Sequence, residues 1–123
     1  MSYIVRFEPR QGYLYAHMSG PESFAEAVRF WQDLAFRGRS GRFSRFLVVD
    51  EVTGQLSTYE HYDISVTVAE LFRGKRIAYV DPKTATYEKN AFGEKVVSSR
   101  GVIARIFRSE PDAAAWLLDR DPP

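Results

Sequence analysis

Gly101-Val102-Ile103-Ala104-Arg105-Ile106-Phe107-Arg108-Ser109-Glu110-Pro111-Asp112-Ala113-Ala114-Ala115-Trp116-Leu117-Leu118 is the stretch that decides the fold. Val102 to Phe107 is a short apolar run rich in β-formers, opened by a glycine. Ser109 then starts a helix, with Asp112 three residues on and Pro111 near the first turn. A serine oxygen accepts from the N–H groups that a helix start leaves unpaired, and proline and acidic residues suit the same place. Ala113, Trp116 and Leu117 fall on one face of that helix. Immediately upstream, Phe92-Gly93-Glu94-Lys95-Val96-Val97 reads as the end of another helix. The unit is helix, buried strand, helix, and it contains no nucleophile, metal-ligand cluster or phosphate loop.

The same alternation extends upstream. Tyr3 to Glu8 and Tyr13 to Met18 alternate around the turn Pro9-Arg10-Gln11-Gly12, which predicts an antiparallel hairpin. Ser19/Glu22 and Ser23/Glu26 both have the spacing of a capping box, so the first helix has two candidate starts. Phe24, Ala27, Val28, Trp31, Leu34 and Ala35 supply its apolar face, and Phe30 and Phe36 lie off it. Arg37 to Arg45 reads as a loop, Phe46-Leu47-Val48-Val49-Asp50 as a buried parallel strand, and Val52 to Leu56 as a loop. Ser57 or Thr58 caps a second helix. Ile64, Val66 and Val68 also alternate like a strand, but Gly74 after Phe72-Arg73 favours a helix ending there. Ile77 to Val80 is a strand stopped by Asp81-Pro82. Thr84 to Ser99 is mostly helical, with Gly93 a candidate break, and Pro122-Pro123 reads as a frayed end. The expected class is α/β, ordered ββαβαβαβα, with a mixed, mostly parallel sheet.

The 123 residues form one expected domain, 1–123, and their 45% apolar and 15% aromatic content suffices for a core. Seventeen basic against sixteen acidic residues leave a net charge of +1, too little for a general nucleic-acid binder. There is no cysteine, no signal-peptide pattern and no apolar run of membrane-spanning length, so the expected location is cytoplasmic. No motif requires a cofactor, and no catalytic or metal-binding set is assigned.

The topology segregates charge. Helix-to-strand loops gather Arg37, Arg39, Arg42, Arg45, Arg73, Lys75, Arg76 and Arg100 on one sheet edge. Strand-to-helix loops gather Asp50, Glu51, Asp81, Glu110 and Asp112 with Thr53, Ser57, Thr58, Thr84 and Ser109 on the other. Helix dipoles alone favour this arrangement. Functionally, Arg37, Arg39, Arg42 and Arg76 are candidate anion contacts, and an anionic-lipid surface is one expected target. Asp50 and Asp81 end parallel strands, where open α/β sheets bind ligands, and a metal-dependent phosphate-handling enzyme would use them. His17 and His61 have no evident catalytic partners. Ser57 and Thr58 read first as helix caps and second as a phosphorylation site. Phe30, Phe36, Phe43 and Tyr59 have no assigned core face, and homodimerisation through them is an open expectation.

The element order resembles the anti-sigma-factor antagonist (STAS) superfamily, in its STAS-like branch of small stand-alone bacterial proteins. Phe46 to Asp50 is similar to the central strand, Ser57-Thr58 with Asp63 to the start of the next helix, and Gly74 to Val80 to the following strand. Tyr87 to Gly93, Arg105-Ile106-Phe107-Arg108 and Ala113-Ala114-Ala115-Trp116-Leu117 are similar to the closing helix, strand and helix. The resemblance implies a non-enzymatic binding or regulatory protein that engages a protein partner or a small or lipidic ligand. It places the binding edge at Asp50, Thr53, Ser57 and Thr58. Regulatory members carry a phosphorylated serine in an Asp-Ser-Ser-Gly-Leu-like motif, which Asp50 to Thr58 lacks.

Overall fold

The computed structural model describes residues 2–54 and 56–119. The end expected to fray at Pro122-Pro123 lies outside these residues, as does Gln55 in the expected Val52 to Leu56 loop. The chain runs β1 (Ile4–Arg10), β2 (Tyr13–Pro21), α1 (Phe24–Gly41), β3 (Arg45–Thr53), α2 (Thr58–Phe72), β4 (Arg76–Val80), α3 (Thr84–Ser98), β5 (Ile103–Phe107) and α4 (Glu110–Leu118). The sheet is five-stranded in the order β1-β2-β3-β4-β5, with β1 antiparallel to β2 and the other neighbours parallel.

That order dictates the layers. Crossovers between parallel strands are right-handed, and here every crossover steps in the same direction. The crossover helices α1, α2 and α3 therefore share one face of the sheet, and only α4 remains for the other. The two cores follow this division. Leu14, Ala16, Met18, Phe46, Val48 and Ile77 pack under the crossover helices with Trp31, Leu34, Val68 and Phe72. Tyr13, Tyr15, Leu47, Val49, Ala78 and Val80 pack against Ala113, Trp116 and Leu117 of α4.

Four local readings are corrected. First, Ser19 to Pro21 is strand, because β2 stays paired with β3 as far as Pro21 opposite Thr53. The capping box is therefore Ser23/Glu26, whose reciprocal bonds are each 3.1 Å, and β3 continues past Asp50 to Thr53. Second, the loop expected from Arg37 is helix through Gly41, ended by Arg42 in the left-handed conformation (φ 59°). The added turn is held by Gly38, where a Cβ would lie 2.5 Å from the Phe46 ring, so only glycine lets that ring pack. Third, Phe30 is buried, stacked on Phe7 and edge-on to Trp31. It lies three residues after Ala27 and four before Leu34, within the same helical stripe. Fourth, α3 is continuous through Gly93, which brings it against Ser65 of α2. Residues 63–72 are helix throughout, and Ser65, Val68, Ala69 and Phe72 form the buried stripe.

Candidate functional site

Alternation along a strand decides what meets at the sheet's carboxyl edge. Phe46, Val48 and Val52 face the crossover helices, so Asp50 does too. Ile77 and Tyr79 face the same way, and Asp81 continues their parity. Two carboxylates are thus turned inward: Asp50 is 4% exposed and Asp81 0%. Buried charge must be paired and hydrogen-bonded, and this chain supplies both.

Lys83 lies between the two carboxylates. Its Nζ donates to the Asp50 carbonyl at 2.6 Å and to Asp50 Oδ1 at 3.0 Å, and stands 3.1 Å from Asp81 Oδ1. Tyr79 donates its hydroxyl to Asp50 Oδ2 at 2.6 Å, and the Val52 N–H donates to Oδ1 at 3.1 Å. Asn90 Nδ2 donates to both carboxylates, at 3.2 Å to Asp50 and 2.7 Å to Asp81. Thr86 Oγ1 donates to Asp81 Oδ2 at 2.6 Å, and the Lys83 N–H to Oδ1 at 2.9 Å. Burial pushes the Asp81 carboxyl up, but the bonds from Thr86, Lys83 and Asn90 outweigh it and hold it below its ordinary value. Burial, then the Asp50 charge and hydrogen bond, push the Tyr79 phenol well up, so it remains a neutral donor.

Beside this network is a cavity of about 50 Å³, lined among others by Met18, Glu22, Asp50, Thr53, His61 and Asn90. A second cavity of about 80 Å³ lies farther from the carboxyl edge, among Ile64, Val68, Ile77, Val97 and Ala104, and is lined also by Ser65, Glu94 and the exposed Arg105. Trp31, Ile64, Tyr79 and Asn90 line both, so the two are neighbouring chambers under α1, α2 and α3. Trp31 of α1 and Tyr79 of β4 stack at 6.1 Å between ring centres, and both line the two chambers. Besides Tyr79, two titratable groups at the outer chamber are displaced from their ordinary values. Burial raises Glu22 to about 7; the Tyr3 bond and Lys83 oppose this, while Asp50 and Glu26 add to it. Burial, then the Lys89 charge, lower His61, against the opposing pull of Asp50 and Glu60.

The residues expected at the binding edge divide. Asp50 and Thr53 line the outer chamber. Ser57 caps α2, accepting from the Glu60 N–H at 3.1 Å. Thr58 is exposed and lines a separate shallow groove with His61, Glu88, Lys89 and Phe92. Of the anion candidates, Arg39 and Arg42 are exposed at the end of α1. Arg37 lies over the Phe7 ring at 4.4 Å. Arg76 donates to the Leu117 and Asp119 carbonyls at 3.2 and 2.6 Å, tying the end of α4 to the sheet. His17 faces the other side of the sheet and meets Glu51 at 2.7 Å. Sequence reasoning passed over Lys83, Thr86 and Asn90, although their spacing of three and four residues marks one helix face. It read Glu22 only as the far end of a capping box.

No protein-family model matches the chain, and no curated protein does. Among solved structures the chain is similar to an uncharacterized DUF3478-family protein with a SpoIIAA-like fold from Shewanella loihica PV-4. The TM-score is 0.55 and the identity 16%, over 94% of this chain and 93% of that one. The fold is therefore SpoIIAA-like. No helix among the described residues is long and apolar enough to cross a membrane.

Proposed function

We propose that this chain is a non-enzymatic binding protein, and that its ligand is a small molecule held in the two-chambered cavity under α1, α2 and α3. The observation that carries this is that a cavity bordered by Glu22, Asp50, His61 and Asn90 adjoins a more apolar one. Ligand sites pair an apolar wall with a few placed polar groups in this manner. The competing reading, a metal-dependent phosphate-handling enzyme on Asp50 and Asp81, meets a direct obstacle. The cation between those carboxylates is the chain's own Lys83.

The two tryptophans provide the test. Trp31 lines both chambers, whereas Trp116 lies on the opposite face against Phe107. Titration with butan-1-ol, a neutral probe of suitable size, should shift the Trp31 indole N–H resonance saturably and leave that of Trp116 in place. An unmoved Trp31 signal, or equal movement of both, would sink the reading.

A further inference from the structure

The outer chamber carries an imbalance that the chain does not correct. Three carboxylates (Glu22, Asp50 and Asp81) converge at the carboxyl edge, and Lys83 is already committed to two of them. The polar contact of the Glu22 carboxylate is the neutral Tyr3 hydroxyl, which donates to Oε2 at 2.9 Å. No ion pair joins Glu22 to a basic side chain among the described residues. A partly desolvated carboxylate beside a cavity, with no counter-charge of its own, is stabilised by a cation arriving from outside. The inner chamber offers apolar surface behind that charge.

We infer that the cavity takes a primary ammonium borne on a short apolar body, with the ammonium beside Glu22 and the body in the inner chamber. This rests on the small-ligand reading and supplies its charge class. The chambers measure about 80 and 50 Å³. A cavity of about 150 Å³ holds benzene, so the two chambers together take about five non-hydrogen atoms, an ammonium on about four carbons. An anionic head group is disfavoured beside Glu22 and Asp50, and Arg105 at the other chamber is, among the described residues, the one lining cation that would oppose this. A neutral one leaves Glu22 without a counter-charge.

The pairing has a pH signature. The charged and titratable groups around Glu22 are Tyr3 on β1, Glu26 on α1, Asp50 on β3 and Lys83 before α3, with His61 of α2 across the chamber. Glu22 titrates near 7, so it is largely neutral at about pH 6 and ionised at about pH 8. A primary alkylammonium keeps its proton throughout this range, since amines of the lysine type titrate near 10.4. Burial and the Lys89 charge hold His61 below its ordinary value, and any positive charge on it falls as pH rises, in the same sense as the ionisation of Glu22. Ammonium binding therefore strengthens as pH rises, whereas alcohol binding does not.

The experiment compares n-butylammonium, butan-1-ol and butyrate by the Trp31 indole resonance at the two pH values, in the wild type and in Glu22→Gln. We expect n-butylammonium to bind roughly tenfold tighter than butan-1-ol at the higher pH, butyrate to bind weakest, and Glu22→Gln to remove the preference while keeping alcohol binding. The wild-type comparison alone decides the matter if the variant folds poorly. Equal affinity for the three probes, or tightest binding of butyrate, overturns the ammonium assignment and leaves the cavity reading standing. Failure of all three to move Trp31 overturns both.

Discussion

Lys83 sets the energetics of the carboxyl edge, because it places one positive charge between two almost fully buried carboxylates. Lys83→Met keeps most of the packing volume and removes the charge. Breaking a buried pair from one side costs about 3–5 kcal/mol. The Lys83 side chain is 28% exposed, so the lower end of that range, about 3 kcal/mol, is expected in a urea unfolding midpoint. A loss below about 1 kcal/mol would mean that solvent already screens both carboxylates. Glu22 makes the opposite kind of prediction. Its folded-state value near 7 lies above the unfolded one, so the folded chain binds more protons in between, and stability falls as pH rises from about 4.5 to 7. Glu22→Gln should flatten that slope and stabilise the chain by about 3 kcal/mol near pH 8, read from denaturation curves across pH. A variant less stable than wild type at that pH would show that the carboxylate is already paired. The contrast explains what was legible at this scale. Asp50 and Asp81 stand out in the sequence because they end apolar strands. Lys83, Thr86 and Asn90 are each ordinary on a helix surface and gain meaning only when β4's parity turns Tyr79 and Asp81 toward them. Glu22 was hidden by the rival capping box at Ser19. Only the β2–β3 pairing excludes that box and leaves Glu22 facing the chamber.

Among elements, α3 is the least anchored of the crossover helices, with Val97 its buried residue. It nevertheless carries Thr86 and Asn90 and closes one wall of the cavity. Its seat on α2 depends on Gly93, where a Cβ would come 3.1 Å from Ser65 Oγ. Ser65 Oγ is in turn committed to the His61 carbonyl at 2.9 Å. Two effects oppose one another in Gly93→Ala: alanine improves helix propensity by about 1 kcal/mol, and the contact forces Ser65 to yield. The single variant should therefore be near neutral. Combined with Ser65→Ala it should exceed the Ser65→Ala single variant by about 1 kcal/mol in thermal or urea unfolding, because the opposing atom has gone. Additive behaviour across the cycle would remove the contact from the argument. Element order was legible because each strand and helix has its own period, while boundaries were not, because neighbours set them. The pairing of β2 with β3 lengthens both strands, and the Phe46 ring under Gly38 carries α1 through Gly41. At the open end of the sheet, α3 also protects β5: Glu94 accepts from the Ile106 N–H at 2.9 Å, occupying an edge donor that would otherwise invite another strand.

Across the whole molecule, monotonic strand order puts all helix-to-strand connections at one end and the inward carboxylates at the other. Arg45 pairs in register with Arg76, and the Arg73 side chain runs beside Gly101, so the basic groups converge as the sequence implied. No ion pair joins Arg39, Arg42, Arg45 or Arg73 to an acid among the described residues. Helix dipoles place the charges but do not neutralise them, so the field at this end is that of a basic patch on a chain of net charge +1. Net charge and patch charge then predict different adsorption. Near the sequence pI of about 8.0, a chain with evenly spread charge would pass through a cation exchanger. This chain should be retained at low salt and elute as the Debye length contracts. The decisive comparison uses two double variants with the same change in net charge. Arg39→Glu with Arg42→Glu alters the exposed end of α1, and Arg6→Glu with Arg108→Glu alters positions away from it. If the patch governs adsorption, the first pair should abolish retention and the second should lower the eluting salt only slightly. Equal displacement by both would show that net charge alone is sensed. The reading of this end as an anionic-surface contact would then lose its physical basis, because a surface cannot select an orientation that the molecule's field does not present.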